Sequence, residues 1–212
     1  MIFAILPVKS LQDAKQRLKG FLAVEQREAL ARLLYTQTLA ALCQAEGIDR
    51  VAVVTSDEEV AAHARRSGAL VFEEKQQVSH SASADAACLR AMELGASTVL
   101  LVPIDVPTAT PADFTQLAAA ARPGLIVVPS SDGTGTNALV RTPPECIESR
   151  FGPGSFRAHL DQAQSKGVPA DVLPLPGLMF DIDTPEDVAK LLSRRNECQV
   201  SSFLRAACAS KS

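Results

Sequence analysis

The chain of 212 residues contains no tryptophan and one tyrosine, and aromatic side chains make up only 4% of it. Its core must therefore be built from valine, leucine, isoleucine and alanine. Such a core favours a sheet covered by Ala- and Leu-rich helices over an aromatic-packed β-sandwich. A hydrophobic fraction of 47% and a charged fraction of 21% are typical of a globular protein, so disordered and fibrous classes are excluded.

The sequence also lacks any run of Lys or Arg, and its formal net charge is −3. A general nucleic-acid-binding or membrane-binding surface is therefore not expected, and any phosphate must be held by a few individual cations. No apolar run approaches the ~18 residues of a membrane span. The first residues lack the basic segment of a signal peptide, so we expect a cytoplasmic protein.

Several familiar site patterns are missing. The five cysteines are widely spaced without a Cys-x-x-Cys pair, so neither a zinc knuckle nor a disulfide framework is indicated. No Ser-His-Asp or Cys-His arrangement occurs at a usable spacing, and His63 and His80 have no obvious partner in the sequence. Glycines are also absent from the positions that a Walker loop or a dinucleotide-binding fingerprint requires.

Hydrophobic periodicity predicts one α/β domain over residues 1–195. Strands are predicted at residues 2–6, 50–55, 69–72 and 98–102. Helices are predicted between and after them, at residues 24–45, from the caps at 56 and 57 to residue 67, at 83–94 and from residue 110. This order calls for a mainly parallel sheet. Short strands are then predicted at 125–129, 138–140 and 171–173, with a last helix from 184. Residues 196–212 are predicted to be a polar, loosely packed tail.

A cluster of cations follows the first predicted strand, where Lys9, Lys15, Arg17 and Lys19 lie within eleven residues. The carboxyl ends of strands are where α/β sheets bind ligands. Cations at this position can neutralise a triphosphate through charge-assisted hydrogen bonds. The alternative is a solvated turn with ordinary surface cations, but a helix N-terminus prefers acids to cations. We therefore predict a triphosphate-binding loop.

Three aspartates are candidate ligands for Mg²⁺, which takes one or two carboxylates together with phosphate oxygens. Asp105 directly follows the strand predicted at residues 98–102. Asp181 and Asp183 project to the same side of an extended segment, where two carboxylates repel each other unless a cation joins them. In the structural alternative, Asp105 caps the helix that follows it, and Asp183 is an acid beside the N-cap of the helix predicted from residue 184.

Two Gly-rich segments, residues 130–137 and 150–156, offer hydroxyls and backbone N–H groups that can cradle an anion. Composition alone indicates a turn in each. Arg157 and His159 follow the second segment at i and i+2, a spacing that does not share one helix face.

Taken together, these segments resemble the 2-phospho-L-lactate guanylyltransferase family, with its phosphoenolpyruvate and 3-phosphoglycerate variants, of coenzyme F420 biosynthesis. The resemblance covers nearly the whole chain, and it is specific because the motifs occur jointly and in order. The motifs are Pro7-Val8-Lys9-x-Leu11-x-x-Ala14-Lys15-x-Arg17-Leu18, Val54-Thr55-x-Asp57, Asp105-x-Pro107, Gly133-x-Gly135-Thr136-Asn137-Ala138-Leu139, Arg150-Phe151-Gly152-x-Gly154-Ser155-Phe156 and Asp181-Ile182-Asp183-Thr184-Pro185.

This resemblance implies a single-domain nucleotide-diphospho-sugar transferase fold of the GT-A, Rossmann-like type. It also implies that a small phosphorylated carboxylic acid attacks the α-phosphorus of GTP and expels pyrophosphate. By resemblance, the triphosphate meets Lys15 and Arg17 beside Lys9, and Asp105 belongs to the catalytic set. Asp105, Asp181 and Asp183 would carry Mg²⁺. Thr136, Gly152 and Ser155 would hold the acceptor.

The sequence departs from the family pattern in two places. Members commonly carry Gly-Leu-Asn ahead of the helix that is predicted here from residue 83, whereas this chain has Val78-Ser79-His80-Ser81-Ala82. Members also often carry Gly-Asp-Leu-Pro, where this chain has Ile104-Asp105-Val106-Pro107. The first change leaves open which nucleobase the protein prefers. The second change keeps the carboxylate of Asp105.

Two other functions stay open on the sequence. One is nucleotidyl transfer with another nucleotide or another acceptor, such as a sugar phosphate or a pterin. The other is a nucleotide-binding module without turnover, although the basic loop and all three acids argue against it. The acceptor and the oligomeric state are not decided by the sequence, with a homodimer as one alternative.

Overall fold

The computed structural model describes residues 1–12, 14–74, 79–194 and 198–209. Seven strands form one mixed sheet in the order β3-β2-β1-β4-β6-β5-β7. All neighbouring strands are parallel except the pairs β4–β6 and β5–β6. The strands are β1 (Ile2–Pro7), β2 (Arg50–Thr55), β3 (Leu70–Glu73), β4 (Thr98–Leu101), β5 (Gly124–Pro129), β6 (Thr136–Thr142) and β7 (Ala170–Val172). The predicted mainly parallel α/β fold is confirmed.

Eight α-helices surround this sheet in the described part of the chain. They are α1 (Val24–Gln44), α2 (Glu58–Arg66), α3 (His80–Glu93), α4 (Pro111–Ala119), α5 (Ser155–Ser165), α6 (Pro176–Met179), α7 (Pro185–Ser193) and α8 (Gln199–Ala209). Among the described residues, no helix combines the length and the apolar character needed to cross a bilayer.

Local capping explains where several of these helices begin. Asp57 accepts hydrogen bonds from the backbone N–H groups of residues 59 and 60 at the start of α2. Thr110 and Thr184 each form a capping box with an aspartate three residues later, ahead of α4 and α7. Helix α3 begins three residues earlier than predicted, since Ser79 caps it by accepting from the N–H of Ala82.

The helices lie in two layers, one on each face of the sheet. Side chains of α1, α2, α4 and α6 pack on one face, and those of α3 and α5 pack on the other. Helix α5 was not predicted from the sequence, because the composition of residues 150–156, where it begins, indicated only a turn. Its buried positions are Ser155, His159 and Ala163, which lie at helical spacing but include a single apolar residue. A hydrophobic pattern therefore could not indicate this helix.

The prediction of a loosely packed tail is wrong for residues 199–209. They form α8, whose Val200, Leu204 and Ala207 are buried against α1 and α7 in a third apolar cluster. These three side chains recur at i, i+4 and i+7, the spacing of one helix face. The predicted domain boundary at residue 195 lies outside the described residues.

Strand order fixes the position of the ligand crevice. The chain runs from β1 outward to β2 and β3, and then returns across β1 to form β4 on its other side. The strand order thus reverses between β1 and β4, and α/β sheets bind ligands beyond the carboxyl ends of the strands at such a point. Strand β6 is antiparallel to β4, so its first residue, Thr136, lies at the same edge.

Replacing Leu204 with alanine tests the packing of α8. Leu204 is fully buried, so Leu204→Ala should lower the free energy of unfolding by about 2–4 kcal/mol, as for other large-to-small core changes. Urea denaturation followed by circular dichroism measures the change. Ser202→Ala on the exposed face of α8 is the control and should stay within about 0.5 kcal/mol of the wild type. A loose tail would make the two variants indistinguishable.

Candidate active site

A buried lysine lies at the centre of the crevice. Lys15 Nζ lies 3.1 Å from Asp105 Oδ2 and 2.9 Å from Asp183 Oδ1, and it donates to the carbonyl oxygen of Ile182 at 2.8 Å. Its side chain is only 6% exposed. All three donor hydrogens of the ammonium group are thus used, which is the condition for burying a charge without a large desolvation penalty.

Backbone geometry directs Lys15 into this position. Lys15 has φ 53 and ψ 41, in the left-handed region that non-glycine residues seldom adopt. The backbone N–H of Ile182 donates to the carbonyl of Asp105 at 3.0 Å. This bond ties the segment after β4 to the segment before α7. Asp105 and Asp183 therefore approach the same ammonium group from two different segments.

The charges of Lys15 and its carboxylate partners stabilise one another's ionised forms. Burial by itself lowers the pKa of Lys15, but the nearby Asp105 and Asp183 outweigh this effect and raise it. Burial likewise favours the neutral form of Asp105, but the charge and the hydrogen bond of Lys15 hold the pKa of Asp105 below its ordinary value. The lysine and Asp105 are therefore charged across the neutral pH range.

Asp181 lies beside this cluster without a cation. Asn137 Nδ2 donates to its Oδ1 at 3.2 Å, and no Lys or Arg of the described ranges forms an ion pair with it. Burial raises the pKa of Asp181, the neighbouring charges of Asp105 and Asp183 raise it further, and the bond from Asn137 lowers it. Asp181 is the carboxylate that an added cation would stabilise most.

The structure brings the three predicted metal ligands into one neighbourhood but not into a metal-binding cluster. Across residues 1–12, 14–74, 79–194 and 198–209, no group of three His, Cys, Asp or Glu side chains has suitable geometry. The reason is visible at Lys15, whose ammonium group lies between Asp105 and Asp183. The acids still fit Mg²⁺ chemically, since this ion takes as few as one or two carboxylates when phosphate oxygens complete its shell.

The other cations of the predicted loop are exposed. The side chain of Arg17 is 73% exposed, and its Nη1 lies 3.8 Å from Asp183 Oδ2. Lys9 and Lys19 are also exposed. The sequence placed these cations in one loop, but it did not distinguish Lys15, which is bound to the acids, from the cations that are open to solvent.

Opposite the charged cluster, Thr136, Ser155 and the turn around Gly152 come together around His159. Thr136 Oγ1 lies 3.0 Å from His159 Nδ1, and the backbone N–H of Arg150 donates to His159 Nε2 at 2.8 Å. Gly152 has φ 123 and is exposed, a backbone conformation that favours glycine. Ser155 is buried at the start of α5, where its N–H bonds the carbonyl of Gly152.

An ion pair between the buried Arg141 and the half-buried Asp85 holds this cradle, defined by Thr136, residues 150–155 and His159, against α3. Arg141, which is 3% exposed, donates from Nη1 to Asp85 Oδ1 at 2.7 Å and to Ser149 Oγ at 3.1 Å. Asp85 in turn accepts from the backbone N–H of Ser149 at 3.0 Å. The turn that follows residue 149 therefore starts from a fixed point.

A small cavity beside the cradle is lined by the carboxyl ends of β1 and β4. Its lining includes Pro7, Pro103, His80, Thr136 and Phe151. The ring of His80 packs edge-on against Phe151 with 4.9 Å between centroids. Burial lowers the pKa of His80, the nearby Asp105 raises it, and Lys9 lowers it. His80 is thus not isolated but faces the crevice.

The first Gly-rich segment is a turn that satisfies its own hydroxyls. Asp132 Oδ1 accepts from Ser130 Oγ at 2.6 Å and from the N–H and Oγ1 of Thr134, both at 2.9 Å. These hydrogen bonds lower the pKa of Asp132 to about 2. Residues 130–135 therefore close the β5–β6 hairpin, and Thr136 is the first residue beyond them to face the cradle.

Sequence reasoning missed His159, Asn137 and the ion pair of Arg141 with Asp85. His159 lies four residues from both Ser155 and Ala163, and this repeat was the available signal. Asn137 appears in the motif after Gly135 but has no partner close in sequence. Its partners, the carbonyls of Leu178 and Met179 and the carboxylate of Asp181, lie more than 40 residues away.

Comparisons of the sequence with known families and proteins agree on one kind of enzyme. The family described as "Guanylyl transferase CofC like" matches residues 2–210. The chain is 39% identical to phosphoenolpyruvate guanylyltransferase from Sphaerobacter thermophilus, over 89% of this chain and 91% of that protein. Identity is 30% to 2-phospho-L-lactate guanylyltransferase from Methanothermobacter thermautotrophicus, over 95% and 89%. It is 32% to 3-phospho-D-glycerate guanylyltransferase from Colwellia psychrerythraea, over 88% and 89%.

Solved structures show the same fold at low sequence identity. A proposed nucleotide-diphospho-sugar transferase from Desulfovibrio desulfuricans has a TM-score of 0.80 at 14% identity, covering 98% of this chain and 95% of that chain. A nucleotidyl transfer enzyme, the CMP-2-keto-3-deoxy-manno-octonic acid synthetase solved with CTP, has a TM-score of 0.58 at 12% identity, over 90% and 96%. A protein from Mycobacterium tuberculosis solved with manganese has a TM-score of 0.57 at 18% identity, over 91% and 98%.

The buried imidazole of His159 predicts a specific pH dependence of stability. The pKa of His159 is lowered from its ordinary 6.5 to about 4, mainly by burial and also by the charges of Arg141 and Arg150, with Asp85 opposing them. The unfolded chain therefore binds more protons than the folded one between pH 6.5 and 4. The neutral His159 should contribute fully above pH 6.5, and up to about 3 kcal/mol should be lost as the pH falls to 4.

Urea denaturation at a series of pH values between 7 and 4.5 measures this loss. In His159→Gln the free energy of unfolding should fall less steeply with acid than in the wild type. Gln164→Ala, at an exposed position of the same helix, should keep the wild-type slope. Parallel curves for His159→Gln and the wild type would show that this histidine is not held neutral.

Proposed function

Because the chain belongs to the CofC-like guanylyl transferase family, we propose that it transfers GMP from GTP to a small phosphorylated carboxylic acid and releases pyrophosphate. The acceptor is phosphoenolpyruvate, 2-phospho-L-lactate or 3-phosphoglycerate, and the reaction depends on Mg²⁺. The proposal includes a role in coenzyme F420 biosynthesis, which rests on the family resemblance. These substrates are the ones for which the similar proteins are named. The contacts in the crevice support the chemistry of the reaction.

One observation carries the proposal, namely that the crevice has an acidic cluster around Lys15 on one side and a cradle built on an uncharged histidine on the other. Lys15 and the three acids lie on one side. Thr136 and the turn around Gly152 lie on the other, where Thr136 is hydrogen-bonded to a histidine whose pKa is lowered to about 4. A reaction between two phosphates needs both, because the triphosphate must be neutralised while the attacking phosphate must keep its negative charge.

On the nucleotide side, the cations of the loop bind the triphosphate. Arg17 and Lys9 are exposed, and in the described ranges the ion pair that Arg17 forms is the long 3.8 Å contact with Asp183, so both cations are open to the phosphates. Lys15 is shared between Asp105 and Asp183 at about 3 Å, so its charge becomes available to the α-phosphate when those acids gain another cation. Guanidinium and ammonium donors of this kind form short charge-assisted bonds to phosphate oxygens.

On the acceptor side, Thr136, Ser155 and the exposed backbone around Gly152 hold and orient the phospho-acid. A phosphate oxygen of the acceptor then forms a bond to the α-phosphorus of GTP. The bond from the α-phosphorus to its bridging oxygen breaks, and the electron pair leaves with pyrophosphate. The nucleophile is already ionised, so no general base is required, and orientation together with charge neutralisation carries the reaction.

Asp105, Asp181 and Asp183 would hold a divalent cation together with phosphate oxygens. When bound, the ion would neutralise charge that develops on the phosphates in the transition state. Asp181 supports this assignment most directly, because its carboxylate has no cationic partner in the described part of the chain and its pKa is raised by burial and two neighbouring acids. The manganese seen with a protein of the same fold agrees with a divalent ion.

Pyrophosphate release tests the proposal across a matrix of the four NTPs and the candidate phospho-acids, with the product identified by mass. We expect release only with GTP and one or more of the three phospho-acids, and only when Mg²⁺ or Mn²⁺ is present. Release with another NTP or with a sugar phosphate would support a different nucleotidyltransferase. GTP binding without release for any pair would support a non-catalytic module.

Asp181→Asn and Asp105→Asn test the acidic side in the same assay. Each should lower kcat on the order of 10²–10³-fold, the usual cost of removing a group that stabilises developing charge. Asp171→Asn is the matched control, because Asp171 forms a half-exposed ion pair with Arg122 at the far edge of the sheet. Undiminished turnover in Asp181→Asn would contradict the metal assignment.

A further inference from the structure

The hydrogen bonds of His159 determine which of its ring nitrogens carries the proton. A backbone N–H can only donate, so the N–H of Arg150, at 2.8 Å, requires an unprotonated Nε2. The ring is fully buried, which favours the neutral imidazole. The single ring proton is therefore on Nδ1, and it is donated to Thr136 Oγ1 at 3.0 Å.

This tautomer sets the role of the Thr136 hydroxyl. A hydroxyl has one hydrogen to donate, and an oxygen that accepts from His159 keeps that hydrogen for another group. Among the described residues, His159 is the hydrogen-bond partner of Thr136 Oγ1. Thr136 also lines the crevice cavity with Pro7, Pro103 and Phe151. The Thr136 hydroxyl hydrogen is thus available to an anionic oxygen of a ligand bound at this cavity.

The same imidazole fixes the other half of the cradle. By accepting from Arg150 it holds the start of the turn that leads to Gly152, and the next N–H, that of Phe151, is bound by Ser81 Oγ at 2.9 Å. The Phe151 ring packs edge-on against His159 with 5.4 Å between centroids. One buried ring thus joins β6, α5 and the turn around Gly152.

We propose that His159 is a positioning residue for the acceptor. As a neutral Nδ1–H imidazole it holds the Thr136 hydroxyl so that it donates to a phosphate or carboxylate oxygen of the phospho-acid. This inference rests on the proposed function for the identity of the ligand. Its contacts on both ring nitrogens distinguish it from a histidine that only fills the core, because the donor and the acceptor each serve a different wall of the same cradle.

The first measurement reads the tautomer without any activity. Nitrogen-15 and proton NMR correlation of the imidazole groups distinguishes Nδ1–H from Nε2–H, and His159→Gln assigns the signals among the three histidines of the chain. We expect a neutral Nδ1–H ring for His159 at pH 7. An Nε2–H ring or a protonated ring would overturn the inference.

The second measurement compares steady-state constants of His159→Gln, Thr136→Val and the double variant. The glutamine amide oxygen can still accept from Arg150 near the position of Nε2 but supplies no donor near Nδ1. His159→Gln should therefore raise KM for the acceptor about tenfold, as for the loss of one oriented hydrogen bond, with KM for GTP within about twofold. Gln164→Ala on the exposed side of α5 should match the wild type.

The double variant decides whether His159 acts through Thr136. If it does, adding His159→Gln to Thr136→Val should raise the acceptor KM no further. If the two substitutions instead raise the acceptor KM by factors that multiply, His159 does not act through Thr136. Equal changes in the KM for the acceptor and the KM for GTP would indicate a general structural role. Either result would overturn the proposal. A wild-type protein that turns over no phospho-acid would contradict the proposed function and remove the acceptor as the ligand, while the NMR result would still decide the tautomer.

Discussion

The rest of the crevice depends on one buried ammonium group. Lys15 is held by Asp105, Asp183 and the carbonyl of Ile182, partners that lie 90, 168 and 167 residues away along the chain. Removing one partner of such a pair would leave an uncompensated charge, which is far more costly than the net stability of an intact pair. This constraint accounts for the left-handed backbone at Lys15 and for the backbone bond that joins Asp105 to Ile182. The loop, the end of β4 and the approach to α7 are therefore fixed together.

This arrangement leaves the charge of the crevice incompletely balanced. Lys15 serves two acids, whereas Asp181 accepts from the Asn137 amide and has no cationic partner among the described residues. In the cradle, burial holds His159 uncharged, and its two nitrogens are used by Arg150 and Thr136. The crevice therefore combines an acidic cluster that is open to a cation with a cradle that offers hydrogen-bond donors. We infer that this contrast separates the roles of the two phosphates in the proposed reaction.

Much of the fold was predictable because its signals are local. A continuous apolar run predicted β1, and the helix-start sequences at Thr110 and Thr184 predicted α4 and α7, which the structure shows to begin with capping boxes. The family motifs also indicated the residues of the crevice, and the structure brings Lys15, Asp105 and Asp183 together. The sequence could not show which cation is buried, because Lys9 and Lys15 differ only in distant contacts. It could not show α5 either, since the buried face of that helix is mostly polar.

The most direct test of this account is the affinity for Mn²⁺, measured by electron paramagnetic resonance with and without GTP. We infer that Lys15 takes the place of a metal ion between Asp105 and Asp183 until a nucleotide and a divalent cation bind together and replace these contacts. Wild-type protein should therefore bind Mn²⁺ at least about tenfold more tightly with GTP than without it. Folded Lys15→Met should bind Mn²⁺ more tightly than the wild type when GTP is absent, because its carboxylates have lost their cation. An unchanged Mn²⁺ affinity in Lys15→Met would contradict the account.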